Sequence, residues 1–310
     1  MSTLVTGGAG FIGRHVVGLL LDQGTCVRVF DDLSRAHKDS LDAFAGRRNF
    51  LGLVTGDVSD PDSLDRGLGG VDTIIHLAAA VDVGASVCSP VESIRANVIG
   101  TLNVLEAARI GQLRLILVST CHVYASAEEP ITEQSATAPV SPYAASKLAA
   151  DDLACAYERA YGVRVTIVRP FNVYGPWQRE DLEGGVVARF IKSALIGKPL
   201  DVHGDGSQTR DFVFVDDVAR GIVAAADETV VGRTIILASS HETTILELAT
   251  LINVGAGGVR PVPHPHPQAE VNRYVGDATL AKDLLGWDAT VTLVTGVDRT
   301  KEWYAARGLS

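Results

Sequence analysis

The sequence predicts an α/β fold, a doubly wound parallel sheet followed by a smaller mixed α/β C-terminal portion, on three observations. Short runs of almost purely apolar residues recur through the first 170 positions. Amphipathic stretches lie between several of them. After Pro170 the character shifts toward turn formers and charge. Strands that are apolar on both faces must be covered by helices on both sides, which is the condition of a parallel sheet.

The strands expected in order are Thr3–Thr6, Cys26–Phe30, Phe50–Val54, Thr73–Leu77, Leu113–Ser119 and Val163–Val168. The helical stretches between them are Phe11–Leu21, Val91–Ile110 and Pro142–Tyr161, the last opened by Ser141-Pro142, a good helix start. Beyond Pro170, "NVYGPWQREDLEGG" and "KPLDVHGDGSQTRDF" read as loops around a substrate portion, and "VRPVPHPHPQAEV" as a Pro/His loop. A helix over Val215–Asp227 is expected to return to the main sheet. The expected division is 1–170 with 214–237 for a nucleotide-binding domain, and 171–213 with 238–310 for a substrate domain. His264 and His266 have no carboxylate or cysteine at ligand spacing, so no metal is expected.

The chain of 310 residues is 46% hydrophobic and 21% charged, ordinary values for a globular protein with a core that needs no disulfides. Cys26, Cys88, Cys121 and Cys155 show no paired spacing, which points to a reducing compartment. With no basic segment leading into a long apolar one at the N-terminus and no membrane-length apolar run, a cytoplasmic protein without membrane contact is expected. The net charge of −10 disfavours nucleic acid as a partner.

"LVTGGAGFIG" places Gly7, Gly10 and Gly13 between the first strand and a helix beginning near Phe11 and Ile12. Without a Cβ, the backbone turns tightly and approaches a pyrophosphate, and the helix N-terminus offers free N–H groups to it. Asp31, eighteen residues after Gly13 at the end of the next strand, stands where an acid accepts hydrogen bonds from an adenosine ribose. The context predicts a Rossmann-type site for NAD, because Asp31 repels a 2′-phosphate; Arg35 nearby leaves NADP open. In "GDVSD", Asp57 and Val58 are placed against the adenine. In "HLAAA", the small residues after His76, with Leu77, Ala78 and Ala79, let the cofactor cross the sheet edge, and His76 reads as a structural histidine.

"SPYAASKLAA" sets Tyr143 and Lys147 one helical turn apart on one face. A phenol with an ordinary pKa near 10 is a poor base at neutral pH, but a nearby ammonium favours the phenolate.

Taken together, "TGGAGFIG", "HLAA", "ANVIGTLNVLEAA" with Asn97, "VSTCHVY" with Ser119, "SPYAASK", "RPFNVYGP", "GDGSQTRDFVFVDDVA", "TTILELA" and "AKDLLGW" resemble the extended short-chain dehydrogenases/reductases, specifically their nucleotide-sugar epimerase/dehydratase group. The resemblance spans essentially the whole chain. It implies that Tyr143 is the base, that Lys147 holds the nicotinamide ribose, and that Thr120 bridges the sugar hydroxyl. It further implies that Asn172 and Arg210 grip a nucleotide diphosphate, that Arg273 and Asp277 contact phosphate and nucleotide ribose, and that the chain forms a homodimer through the helices 91–110 and 142–161. Members begin by taking the proton of the sugar 4-hydroxyl while hydride leaves C4 for NAD⁺. In 4,6-dehydratases the two residues after the threonine are acids, and in glucuronate decarboxylases the second is a Glu. Here they are Cys121 and His122. A 4-epimerase needs neither acid, so a 4-epimerase of a UDP-hexose or UDP-hexuronate is expected. The alternative is a dehydratase or decarboxylase that uses Cys121 and His122, and a non-catalytic dinucleotide-binding protein is a third reading. Alternation along an extended segment would point Cys121 and His122 to opposite sides. Arg179 stands where some relatives that handle glucuronate place an arginine for the carboxylate; a solvent-facing loop arginine is the other reading.

Overall fold

The computed structural model describes residues 2–37, 39–181, 185–253, 257–266 and 271–308. Parts of "NVYGPWQREDLEGG" (182–184) and of the Pro/His loop (267–270) lie outside the described residues.

The main sheet takes its strands from β1 (Ser2–Thr6), β2 (Cys26–Asp31), β3 (Phe50–Thr55), β4 (Thr73–His76), β5 (Arg114–Val118), β6 (Val165–Pro170) and β11 (Thr234–Leu237). Their spatial order is β11-β6-β5-β4-β1-β2-β3, all parallel. The six strands expected from apolar runs are all present, each ending within two residues of its expected limits. The chain winds outward from β1 through β2 to β3, then crosses back to place β4 on the other side of β1. The carboxyl ends of β1 and β4 therefore flank a topological switch point, where an open α/β sheet has a crevice for a ligand.

Alternation along the strands builds two cores. Val5, Ile116 and Val118 point to one face, with Val16, Val17, Leu20 and Ile222. Their neighbours Leu4, Leu115 and Leu117 point to the other, with Leu64, Val104, Leu105 and Ala154. The covering helices are α1 (Phe11–Asp22), α2 (Pro61–Leu68), α3 (Val83–Cys88), α4 (Pro90–Ile94), α5 (Gly100–Gly111) and α6 (Pro142–Tyr161). Helix α6 has the limits its sequence announces. Ser141 Oγ accepts from Ala144 N at 3.1 Å, Pro142 follows, and Gly162 closes the helix in the left-handed region at φ 68°.

The continuous helix expected over Val91–Ile110 is not continuous. A π-helical turn, Arg95–Ile99, separates α4 from α5. Its wide turn carries Asn97 inward, where Nδ2 donates to Ala80 O (3.0 Å) and Ser146 Oγ (2.8 Å) and Oδ1 accepts from Ala80 N (2.8 Å). These are tertiary bonds to the loop after β4 and to α6, and no local period announces them.

Beyond β6 the chain forms β7 (Asn172–Tyr174), α7 (Val186–Leu195), β8 (Leu200–His203), β9 (Thr209–Arg210), β10 (Phe212–Phe214), α8 (Val215–Ala224), β12 (Thr243–Thr244), α9 (Ile245–Ile252), β13 (Val259–Val262), β14 (Arg273–Tyr274), α10 (Thr279–Leu285) and α11 (Leu293–Ala306). Helix α8 stops three residues short of the expected Asp227 and packs on α1, and the next strand, β11, joins the main sheet beside β6. A third core of Val187, Phe190, Ile191, Leu200, Phe212, Ile245, Leu248 and Tyr304 holds the C-terminal elements together. Buried Asp211 ties them to the sheet end, its carboxylate accepting from Ser239 N and Oγ, Ser240 N and Gly276 N.

Candidate active site

A cavity of about 820 Å³ opens at the switch point. Gly7, Gly10, Phe11, Ile12 and Gly13 line it beside Asp31, Asp57 and Val58 at one end, and Leu77, Ala78 and Ala79 in the middle. At the other end stand Ser119, Thr120, Cys121, His122, Tyr143, Asn172 and Arg179.

Two observations show that the first part fits a dinucleotide. The glycine cradle is one. Gly7 sits at φ 68°, and a Cβ there would lie 2.6 Å from Ala78 N; a Cβ on Gly13 would lie 2.1 Å from Gly7 O. The backbone of the first turn therefore presses against Leu77 and Ala78, just past the end of β4, with no room for a side chain. The second is the start of α1, where Gly10 precedes the helix and no side chain caps it, so its first N–H groups face the cavity uncovered. Asp31 is locked by two backbone donors, Ala9 N to Oδ2 at 3.0 Å and Leu33 N to Oδ1 at 2.8 Å. Burial pushes its pKa up, and those two N–H groups oppose the rise.

At the far end, α6 brings Tyr143 and Lys147 onto one buried face. Ser86 Oγ accepts from Tyr143 N at 3.1 Å, which fixes the first turn of the helix. Thr120 stands by the phenol and favours its ionised form, while the Lys147 ammonium donates to Val118 O at 2.7 Å. The lysine is thus anchored on the strand end and not on the phenol. Burial pushes Tyr143 up to about 12 against the lowering effect of Thr120, and burial brings Lys147 down to about 8. The lysine remains an ammonium at neutral pH.

Cys121 and His122 correct a geometric expectation. The segment after Thr120 is not extended; Cys121–Val123 forms a 3₁₀ turn whose His122 N donates to Thr120 Oγ1 at 3.3 Å, and both residues line the cavity. The imidazole packs edge-on against Tyr143 and Tyr274, at 6.0 and 5.3 Å between ring centres. Burial, reinforced by Arg210, brings it down to about 4, and burial pushes the Cys121 thiol up to about 12. Both groups are neutral at pH 7.

A smaller cavity of about 150 Å³ continues from the first past His122 and Asn172, lined by Arg189, His203, Gln208, Arg210, His264 and His266. Arg210 thus lies one cavity beyond the reacting end, and Asn172 borders both. Arg179 lines the large cavity but is ion-paired to Asp181, with Nε 2.8 Å from Oδ1. Four sequence-predicted site residues do not line either cavity: Lys147, buried behind Tyr143 and bonded to Val118 O, is one. Asn97 lies one layer behind, bracketing Ala80. Arg273 pairs with Glu242 at 2.8 Å and donates to the carbonyls of Ala127 and Glu128, and Asp277 accepts from Thr279 N at 2.8 Å.

Two features were not read from the sequence. Trp177, at φ 73°, lies between the guanidinium groups of Arg14 (3.6 Å from the ring) and Arg307 (4.3 Å) and lines the cavity wall. Its partners come from α1 and the C-terminal end, so no local signal exists. Asp151, buried behind Lys147, did leave a signal: it repeats the spacing of four from Tyr143 to Lys147.

His76 is buried behind the site, with Nδ1 2.7 Å from Thr6 Oγ1 and Nε2 3.2 Å from Thr101 Oγ1. Burial, reinforced by Lys147, brings it down to about 3. The folded imidazole stays neutral where the unfolded one takes a proton, near pH 6.5. Between those two values the unfolded chain binds the extra proton, so the stability is complete above about 6.5 and is lost progressively as pH falls toward 3. From pH 6.5 to 4.5 His76 alone costs about 2.5 kcal/mol. In guanidinium unfolding at both pH values, His76→Asn is expected to lose about that much less than wild type over the same interval; equal losses in the two proteins refute this assignment.

The family model described as "NAD dependent epimerase/dehydratase family" matches residues 3–238. The UDP-glucose 4-epimerase of Mycolicibacterium smegmatis is 36% identical, over 98% of each chain. The UDP-glucuronic acid decarboxylase 1 of Xenopus tropicalis is 35% identical, over 97% of this chain and 71% of its own length. Among solved structures, Pal from Bacillus thuringiensis superposes with a TM-score of 0.97 at 36% identity, covering 99% of this chain and 100% of that one.

Proposed function

Because the chain belongs to the NAD-dependent epimerase/dehydratase family, we propose that it is a 4-epimerase of a UDP-hexose or UDP-hexuronate, with Tyr143 as its acid–base group. The observation that carries this reading is the turn after Thr120. Its two side chains are a thiol and an imidazole, both kept neutral by burial, and neither is the carboxylate that would serve as the second base or acid. Abstraction at C5 and expulsion of a 6-hydroxyl thus lack the paired acid and base they need, whereas proton exchange at the 4-hydroxyl needs Tyr143 alone.

In this reading Thr120 orients the sugar hydroxyl toward Tyr143, which takes its proton. Gly7, Gly10 and Gly13 seat the dinucleotide pyrophosphate on the start of α1, Asp31 takes the adenosine ribose, and Lys147 takes the nicotinamide ribose. When bound, NAD⁺ would supply the acceptor of the C4 hydride and, once reduced, its donor back to the other face, with a positive ring that favours a phenolate. Asn172 and Arg210 hold the substrate diphosphate, so that the keto-sugar rotates about that linkage and presents its other face, and Tyr143 returns the proton. Holding a dianion this way anchors the substrate without chemistry of its own.

A lyase is the second reading, favoured by the place of Arg179 on the cavity wall and by the similarity to a decarboxylase. Incubation with NAD⁺ and UDP-glucose, UDP-galactose or UDP-glucuronate, followed by mass spectrometry and proton NMR, separates the two. Epimerisation leaves the mass unchanged; loss of carbon dioxide or water overturns it. His122→Ala is expected to keep kcat within about tenfold of wild type, since a neutral imidazole is not asked to move a proton. A fall of about 100-fold or more would return His122 to the mechanism.

The helices α4, α5 and α6 expose Val91, Ile94, Ile110 and Tyr161, which supports a homodimer built on them; a monomer in sedimentation equilibrium would refute it. No helix among the described residues is long and apolar enough to cross a membrane. The four free cysteines support a reducing compartment such as the cytoplasm.

A further inference from the structure

Residues 143, 147 and 151 form one buried stripe along α6. The first two belong to the reaction as proposed above. Asp151 is 1% exposed, and its Oδ2 accepts from Ser119 Oγ at 2.9 Å and from Arg169 Nε at 3.0 Å. Its Oδ1 is buried without a hydrogen-bond partner. Arg169 is held in turn by Tyr124, whose hydroxyl accepts from NH1 at 2.7 Å. The Lys147 ammonium rests on Val118 O, the residue next to Ser119. Consecutive residues at the end of β5 therefore hold the lysine and the carboxylate, and the next residue is Thr120.

We propose that Asp151 is a positioning residue of this site, one that keeps buried Lys147 in its ammonium form and ties α6 to the strand end that carries Thr120. The inference rests on the role given above to Lys147. Burial of an ammonium is costly unless an opposite charge accompanies it. The charged and titratable groups that act on Lys147 are Asp151 of its own helix and His76 of β4, and Asp151 in turn carries Arg169 of β6. On the helices packed outside α6, Cys88, Glu92 and Arg95 are exposed, and Glu106 is engaged by Arg109 and Tyr157. Asp151 is the anion that acts on buried Lys147 and also the ion-pair partner of buried Arg169, so without it both cations would lose their counter-charge. An Arg–Asp pair that served stability alone would leave the titration of Lys147 unmoved.

The chain has six lysines, so ε-¹³C-lysine NMR resolves them, with the Lys147 signal identified by its loss in Lys147→Arg. Without substrate, the wild-type signal is expected to titrate near 8. In Asp151→Asn the midpoint is expected to fall by about one pH unit or more, and Asp151→Glu to restore it. The alkaline limb of kcat/KM is expected to move in parallel. A midpoint in Asp151→Asn within about 0.3 unit of wild type overturns the proposal. Should that variant fail to fold, the wild-type protein decides, a midpoint below about 7 overturning it. Inactivity of the wild type toward every sugar nucleotide, with the NMR shift present, would defeat the reaction assignment and leave this inference standing.

Discussion

Tyr143→Phe is expected to lower kcat by about 10³-fold while leaving the fold and the dinucleotide affinity intact. The substitution removes one oxygen, the atom that meets Thr120, and keeps the ring that packs against His122. A positioned acid–base group contributes roughly 10²–10⁴ in rate, and no neighbour can substitute for it. Cys121 holds its proton to about 12, His122 is a base only near 4, and Lys147 is directed at Val118 O. Loss of one polar contact at the phenol costs about 1 kcal/mol, too little to unfold a chain of this size. The measurement is steady-state turnover of the active UDP-sugar beside dinucleotide binding followed by tryptophan fluorescence. Turnover within tenfold of wild type would remove Tyr143 from the chemistry. A fall in turnover that saturating dinucleotide restores would mean that the phenol serves the cofactor alone.

Gly13→Ala is expected to destabilise the protein by about 3 kcal/mol or more and to weaken dinucleotide binding by about 100-fold or more. The added carbon would lie 2.1 Å from Gly7 O and 2.8 Å from Gly8 Cα, both backbone atoms. Neither can retreat, because Gly7 is already pressed against Ala78 across the switch point. Relief requires α1 to move off the sheet, and the uncapped helix start would move with it. Gly18→Ala in the same helix is the control. Its Cβ would meet only the edge of the Phe44 ring, at 3.4 Å, so the change is expected to be neutral or to stabilise by up to about 1 kcal/mol. Guanidinium unfolding and a binding titration of both variants test the pair. If the two alanines behave alike, the cradle is not the constraint described.

Local covalent chemistry determined a large part of this protein. Runs such as Leu115–Val118 had to be strands covered on both faces, because every side chain in them is apolar and alternation sends neighbours to opposite layers. The glycine spacing demanded a close backbone approach, Asp31 stood at the end of the right strand, and Ser141-Pro142 with Gly162 bounded α6. Each of these signals lies within a few residues of the place where it acts. The tertiary structure alone decided the rest. The π turn at Asn97 exists because Ala80 and Ser146 are there to bond it. Cys121 and His122 share the cavity because the chain turns after Thr120. Arg273 engages Glu242 and two loop carbonyls. Trp177 is caught between arginines from the two ends of the chain, and Asp151 faces Arg169 from another layer of the molecule. Whether a polar side chain binds a ligand or a neighbour depends on which donors and charges fold within about 3 Å of it, and that is set by elements far apart along the chain.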